Sequence, residues 1–297
     1  MLRSGIPDQL LADALPLLDM IIMDEYGRLP DVGSLVFNVE GSSQWGEQSS
    51  TMAGVGAVPE TSEGEALTYS DPIQGYDKTY THLTYKLGVA FSEELVEDEK
   101  FGMISKTYKG LGMSMYQTEQ IVCAAVLNDG FADTGPDGSS LFNATHSLIG
   151  GGTYGNRPAT DISLSIAGLK EMDVDLMNQV DHRNLNVFLG AEMIVAPPDL
   201  KQTLFELMKS HDRPDTANRS VNVYHENYKP VIWPYLTSTT AWFALANKSQ
   251  HELRKYNRVA PNTKSEQDFD SGDVKTKIRC RFSVGYSDWI GTWGTSG

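Results

Sequence analysis

Residues 92–128 read SEELVEDEKFGMISKTYKGLGMSMYQTEQIVCAAVLN. Phe101, Ile104, Tyr108, Leu111, Met115, Val122 and Val126 recur at steps of three, four or seven, the spacing that lines one face of a helix. Ser92 is suited to cap the start, and Glu93 and Glu94 suit the positive end of the helix dipole. Asn128-Asp129-Gly130 supplies a stop, because glycine enters the left-handed conformation without steric cost. A helix over this whole stretch would be about 55 Å long at about 1.5 Å per residue. A compact chain of 297 residues has a radius of gyration of roughly 19 Å, so this one helix would cross it entirely. Either Gly110 and Gly112 break the helix, or the subunit is elongated; the sequence favours the second.

The rest of the chain points the same way. From Val274 to Tyr286, Val274, Thr276, Ile278, Cys280, Phe282, Val284 and Tyr286 alternate with Lys275, Lys277, Arg279, Arg281, Ser283 and Gly285. A period of two predicts a strand with one packed face and one basic face. Such a strand would extend about 40 Å, which is long for a strand.

Residues 46–91 hold no helical period. They read as an outgoing strand, a Gly/Pro/acid-rich middle and a returning strand, with Tyr76, Lys78, Tyr80, His82, Thr84 and Lys86 on one face. A hairpin this long and this poor in apolar residues cannot form a core alone. It needs a partner surface, in this chain or another, and is expected to become ordered on docking there. Residues 8–23 suggest an amphipathic arm interrupted by Pro16. Helices are expected over about 163–181, with Leu169, Met172, Leu176 and Val180 aligned, and over 199–210, with Asp199 as cap. Met193-Ile194-Val195 reads as a buried strand.

Charge is unevenly distributed. The formal net charge is −15, yet acids outnumber bases 18 to 5 in residues 1–100 and bases outnumber acids 14 to 10 in residues 201–297. An acidic front and a basic back can attract copies head to tail; uneven solvation with no partner meaning is the other reading of the same charges. The overall acidity argues against a general DNA-binding surface. No run of about 18 apolar residues exists to span a membrane. Two cysteines, Cys123 and Cys280, fit a reduced compartment.

No catalytic constellation emerges. His225-Glu226 and His251-Glu252 lack the second histidine of a zinc helix. Gly150–Gly155 matches a dinucleotide glycine pattern without the strand and helix that pattern needs. The segment 268–273 resembles the start of a calcium loop, but Arg279 stands where the closing glutamate belongs. His146, in LFNATHSL, reads as a hydrogen-bonded loop residue. No catalytic residue, metal or cofactor is therefore expected. The residues singled out are the acids of the hairpin (Glu60, Glu63, Glu65 and Asp71) and the basic stripe (Lys275, Lys277, Arg279 and Arg281), as candidates for contact between subunits.

The order of these parts resembles the major capsid proteins of tailed double-stranded DNA phages, an α+β fold of the Hong Kong ninety-seven type, with most similarity to phage Mu-like head subunits. The resemblance is carried by AVPETSEGEALTYSDPIQGYDKTY (57–80), FSEELVEDEKFGMI (91–104), LFNATHSL (141–148), MIVAPPDLKQTL (193–204) and GDVKTKIRCRFSVGYSDWIG (272–291). It implies an N-terminal arm (1–47), an E-loop hairpin (48–91), a P-domain with the spine helix (92–161), an A-domain (162–248), and P-domain return strands with the C-terminus (249–297). It further implies a non-catalytic shell subunit, assembled in the host cytoplasm and resident in the virion. Its hexamers and pentamers would tile an icosahedral head around double-stranded DNA, without sequence-specific contact. Separate scaffolding and portal proteins, and decoration proteins, are the partners the resemblance suggests. Two other readings compatible with the residues are an encapsulin-like nanocompartment shell and an α/β enzyme with a site near His146 and Asp181-His182.

Overall fold

A computed structural model describes residues 19–97, 101–212, 221–268 and 270–297. The expected arm helix at 8–23 and its Pro16 break fall mostly outside them.

The 92–128 stretch is helical in its described parts: Glu93–Glu97 forms a short helix and Phe101–Asn128 one of 28 residues. With residues 19–27 as α1 and Val32–Val36 as α2, these are α3 and α4. Gly110 and Gly112 do not break α4. Gly112 instead admits a neighbour: a Cβ there would lie 2.3 Å from the carbonyl oxygen of Ile22, on α1. The glycine lets α1 cross the helix at backbone contact, and Ile22 is fully buried there.

Four strands form the first sheet: β1 (Asn38–Gly41), β4 (Leu83–Phe91), β10 (Leu253–Gln267) and β11 (Val274–Tyr286), in the order β1-β10-β11-β4. β1 runs parallel to β10, and the other pairs are antiparallel. The alternation expected of β11 is present from Val274 to Phe282 and fails beyond, where Ser283 and Gly285 are buried and Val284 is half-buried. Ile278, Cys280 and Phe282 are buried against Ile104, Tyr108, Leu111 and Met115 of α4, while Lys275, Lys277 and Arg279 are exposed on the opposite face. Tyr108 is tied to the sheet by a 2.6 Å hydrogen bond between its hydroxyl and that of Thr276.

Further along α4 the buried stripe is not the expected one. Cys123, Ala124 and Leu127 are fully buried, whereas Val122 and Val126 are only half-buried. The helix leaves the first sheet at this point and enters a second core with Phe37, Phe142, Trp233 and Phe243, so its contact face rotates. Gln120 marks the changeover. Its side-chain oxygen accepts from the Gly33 amide (3.1 Å) and the Trp233 indole (3.2 Å), and its amide donates to Asp31 (2.8 Å).

The second sheet has the order β12-β9-β7-β8, from β7 (Met193–Ala196), β8 (Lys229–Ile232), β9 (Trp242–Leu245) and β12 (Thr292–Thr295). It is buried on both faces, as its continuous apolar runs require. Met193, Val195, Phe243 and Leu245 face the core shared with α4. Ile194, Ala196, Trp242 and Ala244 face α5 (Ile166–Met177) and α6 (Lys201–Lys209). Ser165 caps α5 through the Gly168 amide. Asp199 caps nothing: Pro198–Leu200 forms a 3-10 turn and α6 begins without a side-chain cap. The chain end, as β12, pairs with β9 in this second sheet rather than extending the first.

The return leg of the hairpin divides at His82. β2 (Gly46–Ala53) and β3 (Ile73–Thr81) form their own antiparallel pair, whereas β4 belongs to the first sheet. Tyr80 and His82 are buried within this subunit. The Tyr80 hydroxyl meets that of Ser287 at 2.7 Å, and the two nitrogens of His82 lie 3.0 Å from the hydroxyls of Ser283 and Ser42. Burying these two aromatic rings fixes the foot of the hairpin, so the expectation of a hairpin without intrachain support narrows to the part beyond β2 and β3.

Candidate functional site

The two groups of charged residues lie toward opposite ends of one chain path. β3 and β4 continue each other on either side of His82, and β4 runs antiparallel to β11, with Leu83 opposite Phe282 and Phe91 opposite Val274. Residues 54–72, which precede β3, therefore project beyond the Tyr286 end of β11, while Lys275 lies near the other end. Among the described residues no ion pair joins a hairpin acid to the stripe.

The basic face is broader than the stripe. Across the ladders Lys277 is opposite Lys264, and Arg279 is opposite Lys86. Lys275 pairs with Asp268 of its own chain, and the half-buried Arg281 donates from Nε to the His82 carbonyl at 3.3 Å. Among the described residues no carboxylate pairs with Lys277 or Arg279.

The hairpin is its electrostatic complement. From Leu29 to Asp77 the chain contains no lysine or arginine. Glu60 and Glu63 are exposed. Glu65 closes a local turn, accepting from the Ser62 amide at 3.0 Å, with Gly64 at φ +83°. Asp71 is exposed, and its contact within the chain is made by its backbone carbonyl. The projecting segment also presents apolar side chains to solvent: Val58 is 95% exposed, Leu67 72% and Tyr69 87%. Acidic groups interleaved with exposed apolar ones form a surface that gains from being covered.

The hairpin foot rests on two loops. The Tyr76 hydroxyl donates to the Ser147 carbonyl (3.2 Å), and Gly75 passes so near Ile149 that a Cβ would lie 2.1 Å from its Cδ1. Arg183 donates from Nε to the Gly54 carbonyl (3.0 Å) and from Nη2 to the Asp71 carbonyl (2.5 Å). Beneath these loops lies a buried aromatic group. His146 stacks on Trp289 at 4.5 Å and 8°, with its ring nitrogens on Asp137 (2.6 Å) and Asn156 (3.1 Å). His182 contacts Trp289 edge-on and binds Asp288 at 2.9 Å. His146 is thus hydrogen-bonded, as its sequence setting suggests, but it lies in the two-residue strand β5 (His146–Ser147), paired with β6 (Thr153–Tyr154), rather than in a loop. Asp137 is held below the usual carboxylate range: burial opposes this, but the His146 ring and the Ser139 amide outweigh it.

Metal-ligand geometry does not develop around these histidines: among the described residues no group of three or more His, Cys, Asp or Glu side chains could hold a metal ion. Both cysteines are buried, and desolvation pushes each thiol up to about 12. Among the described residues no helix is long and apolar enough to cross a membrane.

Comparison with known proteins gives a consistent result. The profile of the phage capsid protein family matches residues 75–293. No curated protein sequence matches. Among solved structures, the chain is similar to the procapsid of bacteriophage JBD30, with TM-score 0.56, 13% identity, and 97% of this chain and 75% of that chain covered. It is similar to a chain of Mycobacterium phage Adephagia, with TM-score 0.56, 9% identity and 90% of both chains covered. It is also similar to the capsid of an empty GTA particle, with TM-score 0.51, 12% identity, and 89% and 96% covered. At these identities the likeness is one of fold, the Hong Kong ninety-seven type shared by tailed-phage major capsid proteins.

Proposed function

Because the chain belongs to the phage capsid protein family, its role is that of a structural shell protein, and we propose that it assembles into hexamers and pentamers forming the icosahedral head around double-stranded DNA. In this reading 1–47 is the arm, 48–91 the E-loop, 92–161 with 249–297 the P-domain around the spine helix α4, and 162–248 the A-domain, with β1 and β4 lent to the P-domain sheet and β12 to the A-domain sheet. Assembly takes place in the host cytoplasm and the product resides in the virion. Separate scaffolding and portal proteins are its expected partners.

The observation that carries this reading is the hairpin segment 54–72. It is acidic, lacks any base, exposes Val58, Leu67 and Tyr69, and has almost nothing of the described residues of its own chain against it. Ordering each backbone residue costs about 1–2 kcal/mol, and burial returns roughly 25 cal/mol per Å², so such a segment becomes ordered only against another surface. The basic sheet face of a neighbouring copy, around Lys275, Lys277, Arg279 and Arg281, is the complementary partner for Glu60, Glu63, Glu65 and Asp71. Each exposed pair contributes only about 0–1 kcal/mol, but repetition over a shell fixes register and orientation.

Charge reversal tests this. Replacing Glu60, Glu63 and Glu65 with lysine should reduce the yield of closed particles, as should replacing Lys277 and Arg279 with glutamate. Combining the two sets should restore part of the yield. A combination no better than either set alone would show that the two surfaces do not meet.

A further inference from the structure

We infer that Arg183 is a positioning residue that fixes where the hairpin leaves its own subunit, and thereby the direction in which 54–72 extends. The inference rests on the intersubunit role proposed for that segment.

The last rungs of the β2–β3 ladder pair Met52 with Gln74 and Ala53 with Ile73. One residue beyond, at Gly54, and two before, at Asp71, the legs no longer pair with each other. There the two hydrogen bonds of the Arg183 guanidinium take both free carbonyls, one per leg. A planar, always charged fork with donors at fixed spacing holds two acceptors at a set separation, which a single flexible ammonium does less well. The guanidinium therefore acts as a final rung, and the segment begins to project immediately after it.

The rung is itself anchored. Arg183 belongs to a tight turn in which the Asp181 carboxylate accepts from the amides of Arg183 and Leu185, both at 2.8 Å. Asn184 takes φ +62°, a left-handed conformation that asparagine tolerates better than most residues. The preceding residue, His182, is buried, bonded to Asp288 and packed edge-on against Trp289. Its carbonyl accepts from the Gly150 amide at 2.7 Å, and a Cβ on Gly150 would lie 2.7 Å from that oxygen. The loop that receives Tyr76 and Gly75 is thereby locked to the turn that carries Arg183. These two supports, which add to the Tyr80 and His82 anchors, form one rigid seat fixed to the buried Trp289, and among the described residues no such contact from the rest of the chain holds the tip beyond it.

The test uses full-length Arg183→Ala and Arg183→Lys. In unassembled subunits, hydrogen exchange in 50–55 and 71–76 should rise about tenfold or more in Arg183→Ala, as expected for the loss of two hydrogen bonds, with α4 amides unchanged. Closed-particle yield should fall, and Arg183→Lys should recover part of both effects. Unchanged exchange in Arg183→Ala would overturn the inference and leave the intersubunit role of the hairpin standing. Faster exchange with undiminished particle yield would also overturn it. A chain lacking residues 56–69 that still assembled normally would overturn the intersubunit role itself, so the two failures are distinguishable.

Discussion

Lys255 and Glu119 form an ion pair inside the protein, 3.3 Å from Nζ to Oε1, with side chains only 2% and 4% exposed. The pair joins β10 to α4 at the level where the helix passes from the first sheet to the second core. Glu119 also accepts from the Tyr26 hydroxyl, on α1, and the Lys255 ammonium lies 5.6 Å from the Phe282 ring centroid. Burial alone would lower the Lys255 pKa, but interactions with the Cys123 sulfur, Glu119 and Asp31 together outweigh it, and the net shift is upward. Removing one partner leaves a buried charge, so Glu119→Ala should cost about 3–5 kcal/mol. Glu119→Leu combined with Lys255→Met should regain most of that. Urea unfolding of the unassembled subunits measures both.

Gly112 and Gly110 should respond oppositely to the same change. A Cβ at 112 meets the Ile22 carbonyl at 2.3 Å, while one at 110 meets nothing within 4 Å among the described residues. Gly112→Ala should therefore destabilise by about 1–3 kcal/mol through overpacking against α1. Gly110→Ala should stabilise by about 0.5–1 kcal/mol through helix propensity. Thermal melting of the two variants checks the contrast.

His251 should make the subunit acid-sensitive. It is buried, its Nδ1 accepts from the Leu253 amide at 3.3 Å, and desolvation followed by the Lys248 charge pushes its pKa down from 6.5 to about 4. The folded state thus binds the proton less readily than the unfolded state. Its contribution is complete above pH 6.5 and is lost as the pH falls through the window from 6.5 to 4, up to about 3 kcal/mol. His251→Asn keeps an acceptor but cannot titrate, and should remove that part of the acid slope in denaturation measured from about pH 7 to about pH 4. An unchanged slope would assign the acid sensitivity elsewhere.

The sequence makes legible what periodicity controls. The helical face of Ile104, Tyr108, Leu111 and Met115 and the alternation of β11 from Val274 to Phe282 survive in the structure because each packs against one continuous partner. Where one element serves two partners, the pattern misleads: α4 changes cores near Gln120, and the buried face moves from Val122 and Val126 to Cys123 and Leu127. β10 leaves little trace because its far half is polar, and because Pro261, which lacks a ladder donor, lies in a register irregularity between Val259 and Asn262. Of the charged candidates, the exposure of Lys275, Lys277 and Arg279 follows from alternation, whereas the proposed relation of hairpin to stripe would involve two copies of the chain, which no pattern within one chain can display. The Arg183 fork had no local signal at all, since its acceptors are backbone carbonyls far away in sequence.

Hydrogen exchange should divide the hairpin in two. Amides of β2 and β3, held by Tyr80, Tyr76 and Arg183, should be protected in free subunits as well as in particles. Residues 56–70 should exchange quickly in free subunits and become protected only on assembly, by the ordering that docking imposes. Equal protection of 56–70 in both states would mean that this segment folds on its own subunit.

The central claim, that this chain builds a closed shell, is tested most directly by electron microscopy of the purified protein under assembly conditions. Closed icosahedral particles with distinct six-fold and five-fold capsomers are expected. A protein that remained a monomer or a small oligomer across concentration and ionic strength, with a scaffolding partner supplied, would contradict it.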